Sequence, residues 1–244
     1  MNKSCPLIIT FLLMIVLNLP AQETQEPNEG TKAEKIYTSS KELFADYDNL
    51  TSSSLKTITI GTQTWMAENL DVSTFQNGDA IPEAKNRDDW DNAEENEQPV
   101  WCYYEFNSKN GKIYGKLYNW IAVEDSRRLA PKGWHIASDA EWTILTSYLG
   151  GENSAGGKLK EAGTVHWENN KAAATNSSGF TALPGGRLNN LGEFLNIGIF
   201  GNWWTSTNHD DGNAKSLYIS DNTNFTSRDY NDKTCGLSVR CVKD

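Results

Sequence analysis

The sequence predicts an α+β fold from three observations: a hairpin early in the chain, a capped amphipathic helix in its middle, and a series of short strands near its end. The helix is the clearest of the three, because Ser138 and Glu141 have the spacing of a capping box. Apolar residues then recur at helical spacing, at Trp142, Ile144, Leu145, Tyr148 and Leu149. Gly150 and Gly151 end the run. Strands that precede and follow the helices, without alternating with them, are typical of the α+β class.

The predicted strands lie on both sides of this helix. Near the start, Ile58 and Ile60 alternate with threonines and Gly61 can turn the chain, so we expect a hairpin that ends near Leu70. Residues 100–106 are β-branched and aromatic, which favours a buried strand. Four further strands are predicted at residues 203–206, 215–220, 225–230 and 237–242. Their closeness in sequence favours an antiparallel meander.

Two other segments have helical character. Residues 111–123 place Tyr114, Tyr118 and Ile121 on one apolar face, which predicts a single helix with its aromatic side chains in the core. Residues 86–97 are acidic, and carboxylates of this kind could bind calcium. However, their spacing is not that of an EF-hand loop, and Trp90 with Ala93 favours a short helix with one buried side.

The first 54 residues predict export and a flexible leader. Residues 1–21 combine Lys3, an apolar stretch and a small-residue end, as in a signal peptide, with a retained N-terminal anchor as the alternative. Cys5 precedes the apolar stretch, which argues against a lipoprotein. Residues 22–54 are polar and indicate a flexible tether. We therefore expect a globular domain at residues 55–244, in a secreted or cell-surface protein with no transmembrane segment after cleavage.

The charge of the chain excludes some classes of partner. Without Lys3 there are 21 basic and 32 acidic residues, a net charge of about −11. Nucleic-acid binding needs a basic footprint, so no nucleic acid is expected as a partner. Binding to anionic lipid by charge is disfavoured for the same reason. Such a charge supports solubility, and a partner is expected to be neutral or cationic.

Three cysteines remain after the predicted cleavage: Cys102, Cys235 and Cys241. An odd number leaves at least one thiol free or paired between molecules, and Cys241 could pair with either of the other two. The sequence has no C-x-x-C pattern and its histidines lie far apart, so no metal site or cofactor is predicted. The glycine-rich stretch 150–163 lacks the phosphate-binding pattern, and a loop with a short helix at 157–162 is expected there.

Seven segments, in order, carry a resemblance to a known family. They are TWMAENLDV, VWCYYEFNSKNGKIYGKLYNWIAV, LAPKGWHIASDAEWTIL, LGGENSAGGKLKEAG, SGFTALPGGRL, WWTSTNHD and GLSVRCVKD. Together they resemble the Fibrobacter succinogenes major paralogous domain, or FISUMP, over residues 55–244. The resemblance implies a C-type lectin-like domain of exported proteins from Bacteroidetes and Fibrobacteres, with helices packed on a twisted antiparallel sheet and chain ends close together. It also implies a disulfide between Cys102 and Cys241, with Cys235 free, and supplies no catalytic residues.

In C-type lectin-like folds, ligands meet loops and strands of the C-terminal half, so the resemblance places a candidate ligand site there. Its aromatic, Asn, Asp and His residues are Trp203, Trp204, His209, Asp210, Asp211, Asn213, Tyr218, Asn222, Asn224, Tyr230 and Asn231. Aromatic rings can stack on sugars, and Asn and Asp can form hydrogen bonds with them. We therefore expect a non-enzymatic binding or adhesion module for an extracellular glycan or protein. Alternatively, at least one tryptophan belongs to the core, and Asn and Asp are ordinary turn residues.

Two other functions are compatible with the sequence. A structural subunit of a surface assembly could form an interchain bond through Cys235. A thiol-dependent, oxidase-like enzyme could use Cys235 with Cys241, but thiolate chemistry needs an electropositive setting, and only Lys233 and Arg240 are near in sequence. No serine lies in a nucleophile elbow either. We therefore expect no enzymatic activity.

Overall fold

The computed structural model describes residues 55–169 and 174–244. The predicted signal peptide at 1–21 and leader at 22–54 lie outside the described residues. The helices of the described part are α1 (Arg87–Glu95), α2 (Ser108–Tyr114), α3 (Trp120–Glu124), α4 (Asp139–Tyr148) and α5 (Glu152–Leu159). Its strands are β1 (Thr57–Ile60), β2 (Gln63–Met66), β3 (Trp101–Cys102), β4 (Leu117–Tyr118), β5 (Trp134–Ile136), β6 (Gly185–Leu188), β7 (Phe194–Ile197), β8 (Phe200–Asn208), β9 (Asn213–Ser220), β10 (Thr226–Asp232) and β11 (Cys241–Lys243). The fold is therefore α+β, as predicted.

The strands form two larger sheets and one small one. The first has the order β1-β2-β11-β5 and is antiparallel. The second has the order β10-β9-β8-β6-β7 and is mixed, because β6 runs parallel to β8. Strands β3 and β4 pair with each other. In the described ranges, no helix has both the length and the apolar character needed to cross a bilayer.

The early hairpin and most of the late meander are confirmed. Strands β1 and β2 pair across the turn at Gly61, and β8, β9 and β10 are consecutive antiparallel neighbours. The predicted last strand is not part of the meander. Residues 236–238 instead bridge to β6, β4 and β8 in turn, and β11 then inserts between β2 and β5 of the first sheet. The chain end therefore joins both sheets.

Helix α4 begins at the predicted capping box. Ser138 Oγ accepts a hydrogen bond from the Glu141 amide, and the Glu141 carboxylate accepts one from the Ser138 amide. On its inner face, Trp142 meets the rings of Trp65 at 4.8 Å and Trp203 at 6.1 Å. Ile144 and Tyr148, assigned to the same apolar run, point outwards and are 50% and 66% exposed. The helix thus covers the core with a narrower stripe than predicted.

The segments before α4 depart from prediction in two places. The prediction of a single helix at 111–123 is wrong. Helix α2 ends at Tyr114 and Gly115 follows with a φ of 75°, whereas α3 starts after its N-cap residue Asn119. The strand at 100–106 shrinks to β3, because Glu105 and the next residue have positive φ and form a 3₁₀ turn. The acidic helix is confirmed as α1, with Trp90 and its neighbour Ala93 buried.

The helix expected at 157–162 is displaced. Helix α5 starts at Glu152, just after Gly150 and Gly151, whose φ values of 99° and 90° turn the chain away from α4. It ends at Leu159, so the predicted segment covers only its last turn. A short helix after a glycine turn is therefore present, but it starts at Glu152 and not at Gly157.

The disulfide implied by the resemblance is not formed, because all three described cysteines are free, buried thiols. Side-chain alternation in β3 gives the reason, since neighbouring residues point to opposite sides of a strand. Trp101 packs in the apolar cluster that also contains Cys241. Cys102 faces the other way, into the cluster around Trp90 and Leu188. The two sulfur atoms therefore belong to different parts of the core.

A buried polar group joins the two larger sheets. The Arg240 guanidinium is 1% exposed and donates to the backbone oxygens of Met66, Phe180 and Thr181. Its Nε donates to Asn69 Oδ1 at 2.8 Å, and the same oxygen accepts the Trp203 indole N–H at 2.9 Å. Burial lowers the pKa of Arg240 to about 9, so the group remains charged at neutral pH. Asn69 Oδ1 therefore accepts one hydrogen bond from the residue that precedes β11 of the first sheet and one from β8 of the second sheet.

His135 fastens Asp244 to α4. Its Nδ1 lies 2.7 Å from Asp244 Oδ1, and its Nε2 lies 2.6 Å from Glu141 Oε1. A neutral imidazole carries one N–H, so only the protonated ring can donate to both carboxylates. Burial lowers the pKa of His135, but the hydrogen bonds with Glu141 and Asp244 outweigh it and raise the pKa above 6.5.

Replacing Asn69 by Ala should destabilise the domain strongly. The substitution leaves two buried donors, Arg240 Nε and the Trp203 indole, without their acceptor. Each such loss costs about 1–3 kcal/mol, so we expect the free energy of unfolding to fall by about 3 kcal/mol in urea titrations. The exposed Asn208 is the matched control, and its replacement by Ala should change stability by less than about 0.5 kcal/mol. Equal effects of the two substitutions would contradict this role.

Stability should also fall as the pH rises through the folded-state pKa of His135. Because that pKa is raised, the contribution is fully present below the unfolded-state value and is lost above the folded-state value. Urea unfolding should therefore give a lower free energy at about pH 9 than at about pH 6. Asp244→Asn removes one carboxylate and should reduce the difference. If the difference persists unchanged in His135→Gln, another group is responsible.

Candidate functional site

The structure does not bring the eleven predicted ligand residues together. Trp203 and Trp204 are fully buried, on opposite faces of β8. Trp203 packs on Trp142, and the Trp204 indole donates to the Tyr118 carbonyl at 2.8 Å. Sequence alternation predicted that at least one was core. Both are, because each face of β8 is covered, so neither can contact a ligand.

Asn231 is also a structural residue. It is 9% exposed, and its Nδ2 donates to Ser216 Oγ at 2.8 Å. Its Oδ1 accepts a hydrogen bond from Arg187 Nη1 at 2.6 Å. Both ends of the amide are therefore occupied within the protein, in a polar network on one face of the second sheet.

Three predicted residues lie around the β9–β10 turn. The Tyr218 ring meets Phe200 at 5.6 Å, and Asn222 Oδ1 accepts a hydrogen bond from the Ser220 hydroxyl. The Asn224 carbonyl accepts the Gly156 amide of α5. The buried ammonium of Lys160 holds this turn through three backbone oxygens, those of Ser220, Asp221 and Thr223. Asn222 and Asn224 lie beyond the far end of β9 from the remaining predicted residues, and Tyr218 lies about 10 Å along β9 from Lys215, the residue that pairs with Tyr230.

The remaining five predicted residues form one exposed patch, which we call the hairpin surface. Its members are His209, Asp210, Asp211, Asn213 and Tyr230. The imidazole of His209 stacks on the Tyr230 ring, with centroids 4.6 Å apart and an interplanar angle of 14°. Tyr230 is 58% exposed although it lies in the middle of an edge strand. The patch therefore presents flat aromatic area beside carboxylate and amide groups.

Asp210 stabilises the turn between β8 and β9, which carries most of this patch. Its Oδ1 accepts hydrogen bonds from the amides of Gly212 and Asn213, at 3.0 and 2.8 Å. Hydrogen bonds from the Asn213 side chain and from these amides lower the pKa of Asp210, so its carboxylate is charged at neutral pH. An aspartate that folds back on its own turn is typical of a tight hairpin. The turn fixes where the His209 ring projects.

The structure also has a concave feature that was not predicted from the sequence. It is a cleft of about 220 Å³, which we call the Arg240 cleft. Its polar lining residues are Glu68, Asn69, Asp71, Lys112, Tyr114, Glu161, Thr181 and Arg240. They come from the chain after β2, from α2, from the end of α5, from the loop before β6 and from the approach to β11. No local pattern marks such a site, because its parts meet only through long-range packing.

The three described cysteines are poorly suited to thiolate chemistry. Burial raises the pKa of Cys235 to about 12, and burial also raises the pKa of Cys102 and of Cys241. A nucleophilic cysteine needs the opposite shift. Across residues 55–169 and 174–244, no three His, Cys, Asp or Glu side chains are grouped closely enough to hold a metal ion.

Alkylation should reveal the protection of these thiols. Because the thiolate is the reacting form and the sulfur atoms are buried, native protein should show almost no labelling of Cys102, Cys235 or Cys241 by iodoacetamide at about pH 7.5. In about 6 M guanidinium without reductant all three should be labelled, as peptide mass spectrometry would show. Rapid native labelling of Cys235 would contradict its burial. Failure of Cys102 and Cys241 to react after unfolding would indicate a bond between them.

Comparison with known proteins gives one match. A family model described as the Fibrobacter succinogenes major domain (Fib_succ_major) matches residues 58–243. The search of curated proteins and the search of solved structures found no match. The matched range covers more than half of the chain and includes both the hairpin surface and the Arg240 cleft. The chain therefore belongs to the Fibrobacter succinogenes major domain family.

Proposed function

We propose that this chain is an exported, non-enzymatic binding module that holds an extracellular glycan or protein at the hairpin surface. The observation that carries the proposal is the exposed stack of His209 on Tyr230. A single exposed aromatic side chain such as Tyr148 needs no binding role, whereas two exposed rings stacked on each other form a larger flat surface. A stacked pair offers a rigid flat face at little cost in side-chain entropy.

The neighbours of the stack suit a sugar ligand. A sugar ring can lie against an aromatic face while its hydroxyls form hydrogen bonds at the edge. Asp210, Asp211 and Asn213 supply charged and amide oxygen atoms on that side, and Lys215 lies opposite Tyr230 in the β9–β10 register. Lys215 itself is held by Asp139 at 3.1 Å, so the patch has a fixed rim. This composition favours a polar ligand with one apolar face.

A protein ligand is the second candidate, because β10 is an edge strand. Edge strands present unpaired backbone groups to which an extended peptide can add as a further strand. Helix α5 packs near the Thr226 end of β10, where Glu152 accepts from the Thr226 hydroxyl. A peptide would therefore have to pair near Tyr230, at the hairpin surface.

Export and a C-type lectin-like relationship are parts of the same proposal. Export is supported by the charged, apolar and small-residue order of residues 1–21. The lectin-like relationship is supported by the first sheet, in which β2 of the early hairpin pairs with β11 and so brings the two ends of the domain together. The alternative of an assembly subunit linked through Cys235 is weaker, because that side chain is only 3% exposed.

A glycan-array screen of residues 22–244, with calcium and with chelator, tests the proposal. Tyr230→Ala should weaken glycan binding by about twofold to tenfold, the range expected for one aromatic stacking contact. The matched control is Tyr148→Ala, which removes another exposed tyrosine at the opposite end of α4 from Asp139 and should leave binding unchanged. Equal losses in the two variants would exclude the hairpin surface. No bound glycan under either condition would exclude the glycan class and leave the peptide at β10.

A further inference from the structure

The Arg240 cleft has an unusual balance of charges. Every carboxylate that lines it already has a basic side chain as a partner. The pairs are Glu68 with Lys56, Asp71 with Lys116, and Glu161 with His166. The hydrogen bonds of the Arg240 guanidinium, in contrast, go to amide and backbone oxygens, and the group lies over the Phe180 ring at 4.3 Å. The cleft therefore contains a buried cation that forms no ion pair among the described residues, although the charge of Glu68 acts on it through space and raises its pKa against the effect of burial.

Arg240 also has more donors than acceptors. A guanidinium has five N–H groups, and four acceptors bond to it: Asn69 Oδ1 and the oxygens of Met66, Phe180 and Thr181. The missing acceptor is at Nη2, which has two N–H groups but donates only one hydrogen bond, to the Thr181 oxygen at 3.1 Å. Thr181 itself lines the cleft, so the unused donor lies at the cleft wall. A buried donor without an acceptor is costly, and a ligand oxygen would satisfy it.

The residues that α2 contributes to the cleft add a second cation and an apolar surface. Lys112, on α2, is exposed and lines the cleft. Ile113 and Tyr114 follow it, and Tyr114 is held edge-on against His166 at 5.9 Å. Burial raises the pKa of Tyr114, so its hydroxyl is protonated and can both donate and accept. The cleft therefore combines two cations, an apolar wall and a rim of carboxylate oxygens.

We propose that the Arg240 cleft binds one acidic sugar residue, a hexuronate. The net charge of the whole chain favours a neutral or cationic partner, but the two cations of this cleft favour an anion locally. The hexuronate carboxylate would meet Arg240 Nη2 and the Lys112 ammonium, while its hydroxyls donate to the rim carboxylates of Glu68 and Glu161. The apolar face of the ring lies along Ile113 and Tyr114. At about 220 Å³ the cleft is smaller than the roughly 300–1,000 Å³ of drug-sized sites, which suits a single monosaccharide. The site shares no residue with the hairpin surface and goes beyond the function proposed there.

Titration of the ¹⁵N-labelled chain 22–244 with sodium galacturonate and sodium glucuronate tests this site. We expect dissociation constants on the order of 1 mM, weaker binding at high salt, and amide shifts at residues 111–115 and 181. Galactose and glucose, which lack the carboxylate, should bind at least about tenfold more weakly. Lys112→Gln should weaken uronate binding about threefold, as expected for an exposed charge. Lys109→Gln, the same change at an exposed lysine of the same helix, should have no effect.

Four results would overturn the proposal. The first is absence of binding at about 50 mM uronate, well above the expected constant. The second is equal affinity in Lys112→Gln and the unchanged chain. The third is binding of acetate or of the neutral hexoses as tight as that of the uronates, which would remove either the sugar or the acid from the assignment. The fourth is a set of amide shifts at residues 207–213 and 230, which would place the uronate on the hairpin surface and support that site alone.

Discussion

The burial of the Arg240 guanidinium is the constraint on which the rest of the domain depends. A charged group removed from water must be surrounded by acceptors, because otherwise its desolvation costs several kcal/mol. Its acceptors come from two segments far apart in the chain, Met66 to Asn69 and Phe180 to Thr181. The chain before β11 can therefore reach its place only when the end of β2 and the loop before β6 are already beside it. Because Asn69 also holds Trp203, this single requirement fixes the first sheet against the second.

The elements that sequence patterns predicted well are those set by residues close in the chain. The capping box at Ser138, the hairpin turn at Gly61 and the buried side of α1 each need contacts across only a few residues. The errors arose where distant contacts decide. Periodicity alone favoured one helix at 111–123, yet pairing of β4 with β3 draws Leu117 and Tyr118 into a strand, and Gly115 permits the break. Likewise, β11 left the meander because Val242 pairs with Trp65 and His135 of the first sheet.

The same distinction explains which site residues were predictable. Asn and Asp in the β8–β9 hairpin were recognisable as turn residues, and the structure places them beside the exposed Tyr230 of the edge strand β10. Trp203 and Trp204 have the same sequence character as ligand-binding aromatics. Only the packing of α4 on one face of β8 and of residues 236–239 against the other shows that both are core. Alternation along a strand predicts opposite directions for two neighbours, and it does not say whether the second face is covered.

The two candidate surfaces differ in whether the residues that would contact a ligand also stabilise the fold. At the hairpin surface, His209 and Tyr230 are exposed and contact each other, so removing them should leave the core intact. In the Arg240 cleft, the buried cation that would meet a ligand is the same group that joins the sheets. Its N–H groups are divided between these roles, with four acceptors inside the protein and one donor left at the cleft wall. Lys112, which is exposed, is therefore the residue through which binding at the cleft can be changed without changing the stability of the domain.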